Sequence, residues 1–123
     1  IRILSAEVKP NLWMGNSTRV ATHNDAADNI ACVAAGRRRF TLFPPDQEDN
    51  LYIADAPHTP GGRPISLVDL RAPDLNRYPR FAQALSTAQV ADLEPGDALF
   101  LPKHWWHNVD AFGPLNILIN FWW

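Results

Sequence analysis

Only one cysteine, Cys32, occurs in the 123 residues, which excludes an intramolecular disulfide framework and fits a reducing compartment. Long apolar runs are lacking too. No stretch approaches the roughly eighteen residues a membrane-spanning helix needs, and no charged-then-apolar leader opens the chain. Charge of one sign is also missing: the formal net charge is -2 and the pI about 6.0, so nothing pulls the molecule globally toward nucleic acid or an anionic bilayer. Internal repeats and low-complexity tracts are absent, which argues against a solenoid. A cytoplasmic protein with neither a nucleic-acid nor a membrane partner is the expectation. At this length one core suffices, and the expectation is a single domain over residues 1–123, a fragment lacking N-terminal elements, because the chain opens at Ile1 and stops inside the apolar run Asn120-Phe121-Trp122-Trp123.

What is present is a succession of short alternating segments separated by turn formers. Residues 10–15 and 19–25 read as strands. Residues 29–35 and 38–43 flank Gly36-Arg37, a two-residue connection of the kind that closes a hairpin. Pro44-Pro45 ends that strand, because neither residue can donate to a sheet ladder. Residues 46–52 suit one or two helical turns. The proline- and glycine-dense stretch 54–64 reads as a long irregular loop of the lid or binding type. Residues 66–70 form a short strand and 78–86 a helix with Pro79 in its first turn. Residues 88–93 and 98–101 are partner strands across Glu94-Pro95-Gly96-Asp97, a type II turn signal. Residues 106–109 and 115–123 pair across 110–114. Eight or so strands with little helix predict an all-β barrel or sandwich rather than βαβ units.

Two positions carry the chemistry. His23 and Asp25 point to one face if their segment is a strand, since successive side chains alternate. One more imidazole, from the downstream run Pro102-Lys103-His104-Trp105-Trp106-His107, would complete a set of two histidines and a carboxylate. Such a set leaves coordination positions open, as in non-haem iron oxygenases, and with zinc and a water it would equally serve hydrolysis. His104, an odd offset from His107, faces the other way, and His58 lies in the long loop. In residues 38–43 Phe40 and Leu42 share the inward face with Arg38, while Arg39 and Thr41 face out. An inward guanidinium requires an anion. Asn29 shares its face with Ala31 and Val33, and Asn116, Leu118, Asn120 and Trp122 share another. Trp105, Trp106, Trp122 and Trp123 suit core and rim packing, and Cys32 suits inert packing on a buried strand.

Taken in order, Thr22-His23-x-Asp25, Gly36-Arg37-Arg38-Arg39-Phe40-x-Leu42-Phe43-Pro44-Pro45, Pro95-Gly96-Asp97-x-Leu99-x-x-Pro102, Trp105-Trp106-His107 and Asn120-Phe121-Trp122 resemble the cupin-like JmjC group of Fe(II)- and 2-oxoglutarate-dependent oxygenases. The resemblance implies a double-stranded β-helix, a cupin or jelly-roll barrel, with one or two short helices in the long insertion. It implies His23, Asp25 and His107 as ligands of Fe(II), Arg38 on the distal carboxylate of the cosubstrate 2-oxoglutarate, and Asn29, Asn120 and Thr22 beside it. No catalytic residue beyond the metal ligands is implied. The implied activity is a dioxygenase that hydroxylates a protein or peptide side chain, or a small molecule, and releases succinate and CO2. The alternatives are a non-catalytic metal-binding cupin module and a zinc-dependent hydrolytic enzyme on the same barrel. Three departures stand out. Arg38 replaces the lysine common in the group's hydroxylases, Val20 occupies a threonine position, and a cosubstrate-contacting tyrosine would precede Ile1.

Overall fold

A computed structural model describes residues 7–123; residues 1–6 lie outside the described residues. Among the described residues eight strands form, and two of them organise the rest: β3 (Asn29–Phe43) of 15 residues and β8 (Trp106–Trp122) of 17. They run antiparallel along their whole lengths, from Asn29 opposite Trp122 to Phe43 opposite Trp106. Each half of each long strand has its own outer neighbour. β1 (Pro10–Gly15) and β2 (Thr18–His23) flank the late and early halves of β8, while β6 (Gln89–Leu93) and β7 (Ala98–Leu101) flank the late and early halves of β3. The resulting six-stranded sheet curls into the jelly-roll barrel that the sequence predicts. A 3-10 helix at Pro45–Asn50, the short hairpin of β4 (Ile53–His58) and β5 (Pro64–Ser66), and one α-helix, α1 (Phe81–Thr87), fill the insertion between β3 and β6.

Several sequence expectations change. Gly36-Arg37 does not reverse the chain. The register slips between Val33 and Arg37 and Gly36 takes φ +74°, so the pair is a bulge at which β3 bends around the barrel. The neighbouring strand explains why glycine is needed: a Cβ on Gly36 would meet the Leu115 carbonyl oxygen at 2.6 Å. The second expected hairpin, across 110–114, is likewise the bend of β8, tied by Asn116 Nδ2 donating to the Phe112 carbonyl at 2.9 Å. The turn at Glu94–Asp97 forms, with Gly96 at φ +99° and Asp97 N–H bonded to the Glu94 carbonyl at 2.9 Å, yet β6 and β7 pair with β3 and not with each other. Finally, the 54–64 loop is largely the β4–β5 hairpin, whose tip is closed by Thr59 N–H to the Arg63 carbonyl at 2.8 Å.

Alternation on the two long strands sorts the core. Ala31, Val33, Phe40, Leu42, Val109 and Leu118 pack inside the barrel. Phe43 and Trp106, cross-strand partners, point out, and α1 covers them with Phe81 and Ala84. Each of these large side chains contributes about 1.5–3 kcal/mol by burial, so the short helix is held by packing rather than by its own propensity.

The outer surface divides. Over the early half of β8 a charged row crosses four strands, Arg19, Asp110, Arg39 and Asp92, each in register with the next. Arg39 holds Asp92 at 2.8 and 2.9 Å, and Arg71 reaches Asp110 at 2.7 Å. Over the late half the outward row is apolar: Leu12 and Met14 on β1, Ile117, Ile119 and Phe121 on β8, Ile30 and Cys32 on β3, and Phe100 on β7. Cys32 is thus half-buried on this outer face rather than inside a buried strand. Thr41, expected on the outward face with Arg39, is buried.

Candidate metal centre

β2 and β8 meet at His23 and His107, which are directly opposed in register. Their rings lie with centroids 4.4 Å apart. β2 ends at His23, so Asp25 stands two residues beyond the strand and simple alternation does not orient it. Even so, one ligand atom from each of His23, Asp25 and His107 falls within 4.8 Å of the others, and His107 Nε2 lies 3.6 Å from Asp25 Oδ2. Each ring is turned by its other nitrogen. His23 Nδ1 is 2.8 Å from the Ala21 carbonyl and His107 Nδ1 3.0 Å from the Trp105 carbonyl. A carbonyl only accepts, so each Nδ1 carries a proton, which in a neutral ring leaves the lone pair on Nε2. Burial, reinforced by the neighbouring His23, pushes the His107 pKa down to about 4. The ring is therefore neutral near pH 7, the form a metal requires.

Further buried polar groups lie along the inward rows of the same barrel. Arg38 is opposite Ala111 on β8 and Leu93 on β6, and is buried. Burial lowers its pKa, and its Nε has no hydrogen-bond partner. Among the described residues its guanidinium meets no carboxylate, so the alternative of an ordinary buried ion pair is not what the fold provides. Asn29 and Asn120 are buried on the inward rows of β3 and β8. Asn29 Oδ1 and Trp122 Nε1 lack partners, while Asn120 Oδ1 accepts from Trp13 Nε1 at 3.1 Å. Buried polar atoms without partners are rare. Two imidazoles and a carboxylate fit a metal, and the orphaned Arg38 Nε and Asn29 Oδ1 on the inward rows of the barrel fit a small polar anion.

The remaining candidates stand as follows. Thr22 is buried in the irregular stretch of β2 between Val20 and His23, where the register with β8 shifts. Val20 is in register with Val109 and packs against the barrel core, which accounts for a hydrocarbon there. His104 is exposed with φ +68°, and His58 is exposed at the end of β4. Neither of two surface hollows, of about 280 and 340 Å³, contains the triad; the larger lies behind β2 and β8 between Arg19 and Arg71.

One participant had no signal in the sequence. Arg63, at the tip of the β4–β5 hairpin, donates through Nε to the Asn24 carbonyl at 2.8 Å and through its terminal nitrogen to Asn24 Oδ1. Asn24 sits between two of the three candidate ligands. No periodic pattern marks a contact spanning a turn and a distant hairpin, so only the fold reveals it.

Residues 3–123 match the cupin-like domain family. Over 114 residues the chain is 38% identical to the lysine-specific demethylase JMJ31 of Arabidopsis thaliana, covering 92% of this chain and 20% of that protein. It is 35% identical over 113 residues to the human HSPB1-associated protein 1, covering 90% of this chain and 22% of that one. The chain therefore spans about a fifth of the length of these relatives. A cupin superfamily protein from Desulfitobacterium hafniense superposes with TM-score 0.50 at 16% identity, over 98% of this chain and 71% of its own, a likeness of fold. The chain belongs to the cupin-like domain family and is of its JmjC type.

Proposed function

We propose that this domain is an Fe(II)- and 2-oxoglutarate-dependent oxygenase that hydroxylates a protein or peptide side chain. The observation that carries the reading is the buried, unpaired Arg38 on the interior that also holds His23, Asp25 and His107. Two histidines and a carboxylate would also suit zinc, but hydrolysis gives a buried guanidinium nothing to do. A dicarboxylate cosubstrate does, since a planar fork suits a carboxylate. The name of the demethylase relative supports a protein target.

His23 Nε2, His107 Nε2 and one Asp25 oxygen would hold the metal. Bound iron with 2-oxoglutarate and dioxygen supplies the oxidation, in which one oxygen atom ends in succinate after CO2 is lost and the other in the hydroxyl of the substrate. The chain's own work is placement. Arg38 neutralises and orients the far carboxylate of the cosubstrate. Asn29 and Asn120 offer amide groups nearer the metal-bound end. The apolar barrel residues Val33, Leu42, Val109 and Leu118 keep water away from the reacting atoms. No side chain has to act as a general base.

Anaerobically purified protein supplied with Fe(II), 2-oxoglutarate and then dioxygen should form succinate, and His107→Ala should abolish both metal binding and succinate. Zinc retained through this treatment, with no succinate formed, would assign the centre to hydrolysis. Iron bound without any consumption of 2-oxoglutarate would make the barrel a binding module.

A further inference from the structure

We propose that Arg63 is a positioning residue for the metal centre, and that through it the β4–β5 hairpin and the metal report on each other. The inference rests on His23, Asp25 and His107 being a metal site. Strand pairing fixes His23, because it is the last residue of β2 and is in register with His107. Asp25 has no such support. The turn that carries it is held by two tertiary hydrogen bonds to successive backbone carbonyls: Arg63 Nε to Asn24 at 2.8 Å and the His104 amide to Asp25 at 2.8 Å. Arg63 adds a second point of attachment at Asn24 Oδ1. Asn24 is buried, and its Nδ2 faces the His104 carbonyl at 3.5 Å.

Arg63 is itself rigidly based. Its amide donates to Thr59 Oγ1 at 3.1 Å, its carbonyl accepts from Thr59 N–H at 2.8 Å, and the Gly62 amide closes on the Thr59 carbonyl at 2.8 Å. A guanidinium is suited to this task because its planar fork grips the backbone and side-chain oxygens of one residue at once, which a lysine ammonium cannot match. The turn can therefore not relax around a metal without moving the hairpin tip, and the hairpin cannot lift without loosening the carboxylate. The two are one coupled unit, and coupling of this kind acts equally in both directions.

Mn(II) is the probe, read by titration calorimetry, with the visible spectrum of the Co(II)-loaded protein as a report on ligand geometry. Arg63→Met should weaken Mn(II) binding about tenfold or more, the usual effect of removing a group that orients a ligand, and should alter the Co(II) spectrum. Arg63→Lys should recover part of both. In the wild-type protein, Mn(II) should slow amide hydrogen exchange at Gly62 and Arg63. Folded Arg63→Met with wild-type affinity and an unchanged spectrum would overturn the assignment. So would wild-type hairpin exchange indifferent to Mn(II), a result that requires no variant to fold. If the wild-type chain bound no Mn(II), the metal-centre reading itself would fall and this inference with it, whereas the two previous results leave that reading standing.

Discussion

Buried Arg38 is costly to the fold on its own, and the proposed function would give it a partner. A buried guanidinium whose Nε has no partner loses hydration without recovering it in hydrogen bonds. Arg38→Met should therefore leave the metal-free, cosubstrate-free protein at least as stable as wild type, by on the order of 1 kcal/mol in urea unfolding. The same variant should need roughly thirtyfold more 2-oxoglutarate for half-maximal succinate formation, since charge-assisted contacts contribute about 2–3 kcal/mol. Stability and function then move in opposite directions, and a loss of both would make Arg38 an ordinary structural residue. Strand alternation was enough to turn Arg38 inward from sequence alone, because Phe40 and Leu42 share its face and are buried with it. The same rule grouped His23 with Asp25, for Asp25 on insufficient ground, since the strand stops at His23 and tertiary bonds finish the placement of the turn. It could not reach Arg63, whose partner lies 39 positions away across a turn.

At the level of elements, the bends in β3 and β8 were written as local signals that two different structures share. A glycine with positive φ followed by a polar residue closes a hairpin in one context and makes a bulge in another. Which one forms depends on whether an adjacent strand continues past it, and β8 does. For the same reason β6 and β7 flank a good turn without pairing: each finds more ladder along β3. Elements bounded by chemistry that decides locally were legible, among them β1, β7 and the end of β3 at Pro44-Pro45. The bend makes a sharp demand at Gly36. With φ +74° and the Leu115 carbonyl at 2.6 Å from any added Cβ, Gly36→Ala should destabilise by more than about 2 kcal/mol. Gly113→Ala has open space around its Cβ but also a positive φ of +95°, so it should cost less, about 1 kcal/mol. Equal thermal denaturation midpoints for the two variants would contradict the role given to the β3–β8 contact.

Across the whole molecule, the barrel carries polarity on its early half and hydrocarbon on its late half. Leu12 and Met14 are 64% and 70% exposed, and Phe100, at 52%, stacks on Trp123 with centroids 6.1 Å apart. A contiguous apolar sheet face of this kind promotes association. The 123-residue chain should show concentration-dependent sedimentation, and Leu12→Lys with Met14→Lys should shift it toward monomer while Mn(II) binding stays intact. Unchanged sedimentation would show that this face plays no part. β8 has one more property, which is parity. His107 near its start and Asn120 near its end both point inward only because the strand keeps count by twos on either side of one bend. A single residue inserted after Asn108 should break that count, turn His107 out of the barrel and abolish Mn(II) binding. Two residues inserted after Gly113, where the chain is exposed and already off the regular ladder, should be absorbed and leave binding intact. Length changes in such a domain are thus read like a reading frame, with the bend as the place where the count can be reset.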